Sequence, residues 1–438
     1  MLASGTRGDV QPFLALALGL RSAGIHSVIA AAPRFRAFVE SRDIEFTPLE
    51  GNPSDLMTAS GSMAATVSAG ALKGIASTAR FLRAAQSEYR RMLESGAAAC
   101  KGACAVLAGL SSTWGTSIAE ALGIPCALCM PQPFGRTRVF PSALLPVRSS
   151  LGEGYNALSY RVIEQAMWLP WRRVTNAWRR RTLGLPALPV AGPWQMMYAS
   201  GFHCLYGFSP SVMPAPVDWP PGHAVTGYWF LEEEPGWTPR PALEQFLSAG
   251  GPPLYIGFGS MGMSHGRRML RVVEAALELS GLRAVVSAAG HSAGPLPAGP
   301  RRMIFENEIP HRWLFSRVAA VMHHGGAGTT AEGLRAGIPS LIFPGAADQY
   351  FWADRIARLG AGPAPVARRD LTPARLARLF IRATKDQEMG EQARRIGEKI
   401  RAENGVARAV EELLPLIHGG AHGRGVYPDQ TGHHPMGS

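Results

Sequence analysis

The stretch "HHGGAGTTAEGLRAGIP", from His323 to Pro339, decides the fold. The apolar run "VAAVM" precedes it, and a helical pattern follows the glycines and stops at Gly337. A buried strand that turns into a helix through glycines is typical of parallel α/β sheets, whose ligands bind beyond the carboxyl ends of the strands. The helix N-terminus offers free N–H groups and partial positive charge, and glycine lets a phosphate approach the backbone. We therefore predict a diphosphate cradle here, with an unliganded helix–sheet turn as the alternative.

Two further features of this stretch limit the interpretation. It has no lysine after its glycines, as a Walker loop would, and no clean G-x-G-x-x-G dinucleotide fingerprint. Its "TTAE" segment also fits a capping box, with Thr329 as the cap and Glu332 reaching back. The glycines alone leave these alternatives open.

The rest of the chain repeats the alternation of apolar strands and helical patterns. A helix is predicted from Pro12 to Gly24, between its opening proline and closing glycine. "GIPCALCMP" from Gly123 is echoed by "GIPSLIFP" from Gly337. Strands are predicted in "SVIAAAP", "IEFTPL", "CAVLAGL", "CALCM", "PLYIGFGS", "RAVVSAA", "RMIFENE", "AAVMHH" and "PSLIFPG". This pattern predicts two similar α/β domains, each with a parallel sheet and helices on both faces.

A chain of 438 residues is too long for one ordinary core. We predict an N-terminal domain over residues 1–230, a proline-rich and acidic linker over 231–250, and a C-terminal domain over 251–416. Residues 417–438 lack apolar periodicity and are predicted to be disordered. The segment 131–199, which contains "WRRVTNAWRRR", breaks the alternation and is interpreted as an insertion.

Composition narrows the function classes. No run of about 18 uncharged apolar residues is present, and the first residues lack the pattern of a secretory signal, so we expect a cytoplasmic protein. The net charge of +12 is compatible with a phosphorylated substrate or an anionic membrane surface. Nucleic acid is disfavoured because the sequence has no zinc-finger spacing or aromatic RNA-binding signature.

The five cysteines raise the question of a zinc site, because "CKGAC" and "CALC" give four candidate ligands. "CALC" lies within a predicted buried strand, where Cys126 and Cys129 would point to opposite faces. Buried free thiols are therefore the better prediction.

Near the start of the chain, "GTRGDVQP" places Asp9 at the beginning of the first predicted helix, after a very short strand. A carboxylate here could simply cap the helix. It could also face a cleft between the domains as a general base. Position alone does not distinguish the two.

Together these motifs resemble those of family 1 UDP-glycosyltransferases, especially sterol glucosyltransferases and bacterial antibiotic glycosyltransferases. The resemblance covers roughly residues 1 to 415 and implies the GT-B fold, in which two Rossmann-like domains face each other across a cleft. The pieces that carry it, in family order, are "GTRGDVQPFLALALGLRSAG", "LYGFSP", "VTGYWF", "YIGFGSM", "IPHRWLF", "HHGGAGTTAEGLRAGIPSLIFP" and "ADQYFWADRIARLGAGP".

The resemblance also implies roles for individual residues. The C-terminal domain would bind a UDP-sugar, with Glu332 on the ribose and Asp348 and Gln349 on the sugar hydroxyls. Asp348 could instead be only the cap of the following helix. The contacts to the diphosphate would come from His324, Gly326, Gly328, Thr329 and, from the opposite turn, Ser260.

Asp9 stands where sterol and antibiotic transferases carry an aspartate as the base. Histidine-based relatives support their base with an acid after the fourth strand, but "AGLSSTWG" has none, which leaves Asp9 without an obvious partner.

The implied reaction is inverting transfer of a sugar, glucose in our interpretation, to a hydroxyl of a lipophilic acceptor such as a sterol. Helix dipoles and His324 would stabilise the departing UDP, so we expect no metal or other cofactor to be required. The aromatic insertion would bind the acceptor, and its arginines could hold the protein near an anionic bilayer. A macrolide, polyphenol or glycolipid acceptor, a nucleotide-sugar epimerase of the same fold and a nucleotide-binding regulator are the alternatives.

Overall fold

Two parallel β-sheets organise the chain. The computed structural model describes residues 1–51, 71–146, 150–232, 237–257, 263–287, 302–306, 309–367 and 370–419, without the side chains of 71–83 and 263–267. The strands are β1 Val28–Ala31, β2 Glu45–Pro48, β3 Val106–Ala108, β4 Cys126–Met130, β5 His203–Tyr206, β6 His223–Val225, β7 Leu254–Gly257, β8 Ala284–Ser287, β9 Met303–Glu306, β10 Ala320–His323 and β11 Ser340–Ile342.

The helices surround these sheets. They are α1 Arg7–Ser22, α2 Arg36–Glu40, α3 Ala71–Ala99, α4 Gly115–Leu122, α5 Glu153–Trp168, α6 Arg172–Trp178, α7 Trp194–Ser200, α8 Pro241–Ser248, α9 Met263–Ser280, α10 His311–Phe315, α11 Ala327–Ala336, α12 Gln349–Arg358, α13 Pro373–Lys385, α14 Gln387–Ala402 and α15 Gly405–Gly419. Among the described residues, none of these helices is both long and apolar enough to cross a bilayer.

The first sheet is held together near the start of the chain. Strands β3, β4, β5 and β6 pair in that order, and β1 pairs with β2. Leu2 forms parallel bridges with Ala30 of β1 and Ala108 of β3, so this one residue joins the two groups. The very short strand predicted before the first helix is therefore confirmed.

The second sheet has the parallel order β11-β10-β7-β8-β9. Strands β7 and β10 are neighbours, with His323 opposite Gly257, so the carboxyl ends of these two strands lie side by side. All nine predicted strand segments contain a strand, whereas β5 and β6 were not predicted.

Several predicted boundaries fall inside structural elements. The first helix begins at Arg7, five residues before the predicted start at Pro12. The segment predicted as a linker contains α8, whose Leu243 is fully buried. The predicted limit at residue 416 lies within α15, which packs against α1 through Ala409, Val410 and Leu413.

The cysteine prediction can be examined on β4. Cys126 belongs to the apolar cluster on one side of the first sheet and Cys129 to the cluster on the other. All five cysteines are free, and four of them are buried. Burial raises the pKa of Cys126 to about 12, so the thiol form dominates at neutral pH.

Candidate active site

The glycine-rich turn after β10 leads directly into α11. Gly325 has φ +96°, and a Cβ there would lie 2.7 Å from Ile342 Cγ2, so only glycine fits this turn. Gly326 is the N-cap, and the first intrahelical bond runs from the Thr330 N–H to the Gly326 carbonyl. The N–H groups of residues 327–329 precede that bond and point out of the helix N-terminus. The predicted cradle has the backbone geometry that an anion requires.

The two histidines of this turn have different surroundings. His323 is buried beneath the turn, where its Nδ1 accepts a hydrogen bond from the Gly325 N–H at 3.1 Å. Burial lowers the pKa of His323 well below its usual range, so this ring is neutral and structural. His324 is half-buried, and its Nε2 lies 2.8 Å from the position that a Cβ of residue 326 would occupy. His324 thus lies against the cap of the helix, beside the proposed diphosphate position.

The capping-box alternative for Thr329 and Glu332 is wrong. The helix begins three residues earlier than that alternative requires, because Gly326 is the cap. Thr329 is therefore in the first turn of α11, and half-buried Glu332 is in the second. Ser260, predicted to face this cradle from the turn after β7, lies outside the described residues.

Asp348 and Gln349 lie at the start of α12. Asp348 is the residue before the helix, but its side chain makes no capping bond. Its Oδ2 instead accepts a hydrogen bond from Trp352 Nε1 at 3.0 Å. The Oε1 of Gln349 accepts the N–H groups of Gly345 and Ala346 at 2.8 and 3.2 Å, which fixes the preceding loop. Gln349 therefore keeps its amide N–H groups for a ligand.

Asp9 lies in the first turn of α1. Its Oδ2 accepts the backbone N–H of Thr6 at 2.7 Å and the Thr6 hydroxyl at 2.9 Å. The partner that the sequence did not indicate is thus local, three residues before the carboxylate. Both bonds use one oxygen, so the helix-capping role and a role for Oδ1 as a base are compatible.

The environments of Asp9 and Asp348 are coupled. Burial raises the pKa of Asp9, although the Thr6 hydrogen bonds oppose the rise. Burial raises the pKa of Asp348 to about 6, and the charge of Asp9 adds to this rise. The charge of Asp9, from the first half of the chain, therefore reaches Asp348 in the second half.

One cavity adjoins Asp9, and a larger one adjoins that cavity. The first, of about 10 Å³, is lined by residues that include Asp9, Ser4, Leu110 and Trp229. The larger one, of about 230 Å³, shares Ser4 and Leu110 with it. The wall of the larger cavity is mostly aromatic and apolar and contains Tyr89, Met92, Trp114, Met167, Trp168, Trp171, Leu188, Pro193 and Trp194.

Sequence reasoning missed Ser4, which lines both cavities, and the side chain that holds it. Ser4 and Ser112 form a buried pair, with 2.8 Å between their hydroxyl oxygens. The sequence signal for this pair is the cluster of hydroxyls in "LSST".

Comparisons with known proteins agree with this geometry. A family model described as glycosyltransferase family 28 N-terminal domain matches residues 1–141. A second, described as erythromycin biosynthesis protein CIII-like, C-terminal domain, matches residues 284–416. Both halves of the chain thus match domain models, and the model of the first half is that of a glycosyltransferase.

Curated relatives of the chain include fungal sterol 3-beta-glucosyltransferases. The Emericella nidulans protein is 36% identical over 431 residues, which cover 94% of the chain and 29% of the relative. The protein of Cryptococcus neoformans var. neoformans serotype D (strain JEC21) is also 36% identical, over 94% of the chain and 27% of its own length. The chain thus spans less than a third of these relatives.

Solved structures confirm the GT-B fold. The glycotransferase of kitacinnamycin matches with a TM-score of 0.68 at 21% identity, covering 95% of the chain and 98% of that protein. Glycosyltransferase VinC, in complex with DTDP, matches with a TM-score of 0.62 at 19% identity, covering 96% and 99%. The predicted resemblance is confirmed for family and fold.

Proposed function

We propose that this chain is an inverting UDP-dependent glycosyltransferase that transfers a hexose, glucose in the first instance, to a hydroxyl of a lipophilic acceptor such as a sterol. The observation that carries the proposal is the aromatic cavity of about 230 Å³ that shares Ser4 and Leu110 with the space beside Asp9. An apolar wall with a few polar groups near the reacting position suits a hydrophobic alcohol. The names of the curated relatives support a sterol and glucose.

The chemistry assigned to the site is a single displacement. The acceptor oxygen attacks the anomeric carbon, the bond from that carbon to the UDP oxygen breaks, and Asp9 takes the hydroxyl proton. A carboxylate is a weak base for an alcohol, so the proton moves late, within the transition state. Its raised pKa makes Asp9 a better acceptor of that proton.

The departing diphosphate gathers negative charge. In this proposal the N-terminus of α11, through Gly326, Gly328 and Thr329, and His324 stabilise that charge. These groups supply leaving-group stabilisation without a metal ion. Asp348 and Gln349 hold the sugar hydroxyls, and Glu332 accepts hydrogen bonds from the two ribose hydroxyls.

The decisive experiment measures UDP release from UDP-glucose with and without a sterol, and with a panel of macrolide, polyphenol and glycolipid acceptors. We expect release only when an acceptor hydroxyl is present. Epimerised sugar nucleotide without an acceptor would indicate an epimerase, and nucleotide binding without turnover would indicate a regulator.

Donor choice tests the role of Glu332. A deoxyribose offers one hydroxyl instead of two, so the half-buried carboxylate of Glu332 loses a ligand partner at a cost of about 1–3 kcal/mol. UDP-glucose should therefore be preferred to TDP-glucose by about tenfold or more. Equal use of both donors would contradict the assignment of Glu332 to the ribose.

A further inference from the structure

The insertion carries an unusual exposed surface. Of the ten large hydrophobic side chains that are exposed among the described residues, six lie between residues 139 and 190, and each of the six is more than half exposed. These residues, here called the aliphatic face, are Val139, Leu151, Leu158, Val162, Leu169 and Val190. Scattered single hydrophobic residues are normal on a surface, but a concentration in one segment marks an interaction site.

Helix α5 exposes aliphatic side chains and buries polar ones, which share the buried side with Tyr160 and Trp168. At 3.6 residues per turn, Leu158, Val162 and Leu169 lie within about 40° of each other on its exposed side. Polar side chains occupy the opposite, buried side, among them Asn156 and Glu164. A helix that only completes a core buries its apolar stripe and exposes its polar one.

The buried polar side chains fix this orientation. Asn156 Nδ2 donates to the Arg138 carbonyl at 2.7 Å, and Glu164 forms an ion pair with Arg136. Rotating α5 to hide its leucines would break these bonds and leave a buried charge unpaired. The outward position of the aliphatic residues is therefore specified by the structure.

Hydrogen bonds bring the other members of the aliphatic face to this helix. Trp168 Nε1 donates to the Val190 carbonyl at 3.1 Å, which places Val190 beside the end of α5. The Asn156 bond to Arg138 places Val139 near its beginning, and Leu151 lies two residues before it. The face therefore runs along the whole helix.

The charge around the face is mostly positive, although exposed Asp218 accepts the Arg138 N–H at 2.7 Å beside Val139. Residues 131–199 contain nine arginines and two glutamates, with no lysine or aspartate. Glu164 is buried in its pair with Arg136, so Glu153 is the one exposed acid of this segment. Exposed Arg161 lies on α5 itself, next to Val162, and Arg173 follows shortly after the helix. Aliphatic side chains rimmed by arginine complement a surface with an apolar interior and anionic headgroups.

The aliphatic face also adjoins the proposed acceptor cavity. Met167 and Trp168, at the end of α5, and Trp171, which follows it, line that cavity. One wall therefore has the cavity on its inner side and exposed aliphatic residues on its outer side.

We propose that the aliphatic face of α5 rests on an anionic lipid bilayer, from which the acceptor passes into the adjoining cavity. Delivery of the acceptor rests on the proposed function, but attachment to the bilayer does not. Burial of the leucines and valine at the boundary between headgroups and acyl chains provides the hydrophobic part of the binding free energy. The attraction of the arginines to the anionic headgroups provides a part that weakens with added salt.

The test uses the full chain and vesicles of phosphatidylcholine, with or without phosphatidylserine, in a co-sedimentation assay. We expect binding to the phosphatidylserine vesicles that weakens with added salt. The double variant Leu158→Ser/Val162→Ser should bind about tenfold more weakly. Val217→Ser/Leu279→Ser is the matched control, because these side chains are 98% and 63% exposed elsewhere on the chain, and it should bind as the wild type does.

Three results would overturn the proposal. The wild type could fail to bind anionic vesicles, or the α5 variant could bind them as well as the wild type. Sedimentation velocity without lipid could instead show that the wild type is a dimer and the α5 variant a monomer, which would identify the face as an interface between copies of the chain.

Measurements of UDP release distinguish a failure of the bilayer proposal from a failure of the proposed transferase function. With a water-dissolved acceptor, the α5 variant should release UDP as the wild type does, and with the same acceptor in vesicles it should be slower. Wild-type vesicle binding without any transfer would contradict the proposed function and leave the bilayer contact standing. Equal loss on dissolved and vesicle-bound acceptor would count against the bilayer contact.

Discussion

In the role proposed for it, Asp9 meets two requirements that often conflict, because a base must be held firmly and still accept a proton. Thr6 holds Oδ2 through two hydrogen bonds, which favour the ionised form, while burial favours the neutral form. Burial is the larger effect, so the carboxylate is fixed in place and its pKa is nevertheless raised.

Asp9→Asn preserves the size of the side chain and an acceptor oxygen for Thr6, and it removes the basicity. We expect turnover to fall by about a hundredfold or more while UDP affinity changes little. Steady-state kinetics and calorimetry measure the two quantities. The control is Asp354→Asn, whose carboxylate pairs with Arg358 on α12. Near-normal turnover of the Asp9 variant would exclude its role as the base.

Asp348 gives a pH-dependent prediction. Its pKa is about 6 in the folded chain and 3.8 in an ordinary environment, so the folded state holds the proton more tightly. Its favourable contribution to folding is therefore complete below about pH 4 and is lost as pH rises through about 6. Asp348→Asn removes the buried charge and can still accept the Trp352 bond.

The Asp348→Asn variant should therefore be more stable than the wild type at pH 7.5, by on the order of 2 kcal/mol, and about equal to it near pH 4. Thermal unfolding at both pH values measures the difference. A difference in melting temperature that stays the same at both pH values would contradict the raised pKa of the Asp348 carboxyl.

At the scale of single elements, the glycines between β10 and the first turn of α11 have different structural roles. Gly325 is required by its positive φ and by Ile342 beside it. Gly328 is in the first turn of the helix, and a Cβ there would meet no described atom within 4 Å. One glycine serves the fold, and the other leaves the helix N-terminus open to a ligand.

A matched pair of substitutions separates these roles. Gly325→Ala should lower stability by about 1–3 kcal/mol, because it forces a non-glycine residue into the left-handed region against Ile342. Gly328→Ala should keep or slightly raise stability, since alanine is the better helix former. It should nevertheless weaken UDP binding, because a methyl group would stand where the phosphate approaches. Thermal unfolding and calorimetry with UDP test both, and unchanged UDP affinity of Gly328→Ala would argue against the cradle.

The elements that the sequence predicted are those with strong local signals. Each predicted strand is an apolar run, and the repeated Gly-Ile-Pro sequence marks where a helix ends and a strand begins at both Gly123 and Gly337. Strands β5 and β6 lacked that signal, because each is short and begins with histidine. Their β-structure is fixed by pairing with β4 and with each other, which is a tertiary effect.

At the scale of the whole molecule, the two halves are joined by a shared apolar interior. Trp352 of α12, the helix that begins after Asp348, packs against Phe208 with ring centroids 5.9 Å apart. Phe351 packs against Phe140 at 5.5 Å. Sequence patterns could identify Asp9 and Asp348 as candidates, but not that the charge of one reaches the other, because that depends on contacts between residues hundreds of positions apart.

Local sequence patterns also could not predict that the end of the chain returns to its first half. Helix α15 packs on α1, although almost 400 residues separate them. The chain passes from the first half to the second after Tyr228 and returns to the first half near Gly405. These two connecting segments, here called the crossings, are in contact, since a Cβ on Gly405 would lie 2.4 Å from the Tyr228 carbonyl oxygen. Glu403, beside the second crossing, accepts hydrogen bonds from the hydroxyls of Ser209 and Ser211 at 2.6 and 3.0 Å.

Glu403→Ala should therefore destabilise the chain by about 1–3 kcal/mol, because it leaves the fully buried Ser209 hydroxyl without its acceptor. The matched control is Glu398→Ala, whose exposed ion pair with Arg394 is worth less than about 1 kcal/mol. The two variants are compared by thermal unfolding. Equal losses of stability would contradict the conclusion that Glu403 stabilises the contact between the two halves of the chain.

Turnover of the Glu403 variant extends the argument to catalysis. The proposed UDP contacts all come from the second half, so UDP affinity should change little. In the proposed mechanism, Asp9 of the first half takes the acceptor proton while Asp348 of the second half holds the sugar, so turnover should fall once the contact between the halves is loosened. A fall in UDP affinity with unchanged turnover would mean that the crossing supports the cradle rather than the alignment of the two halves.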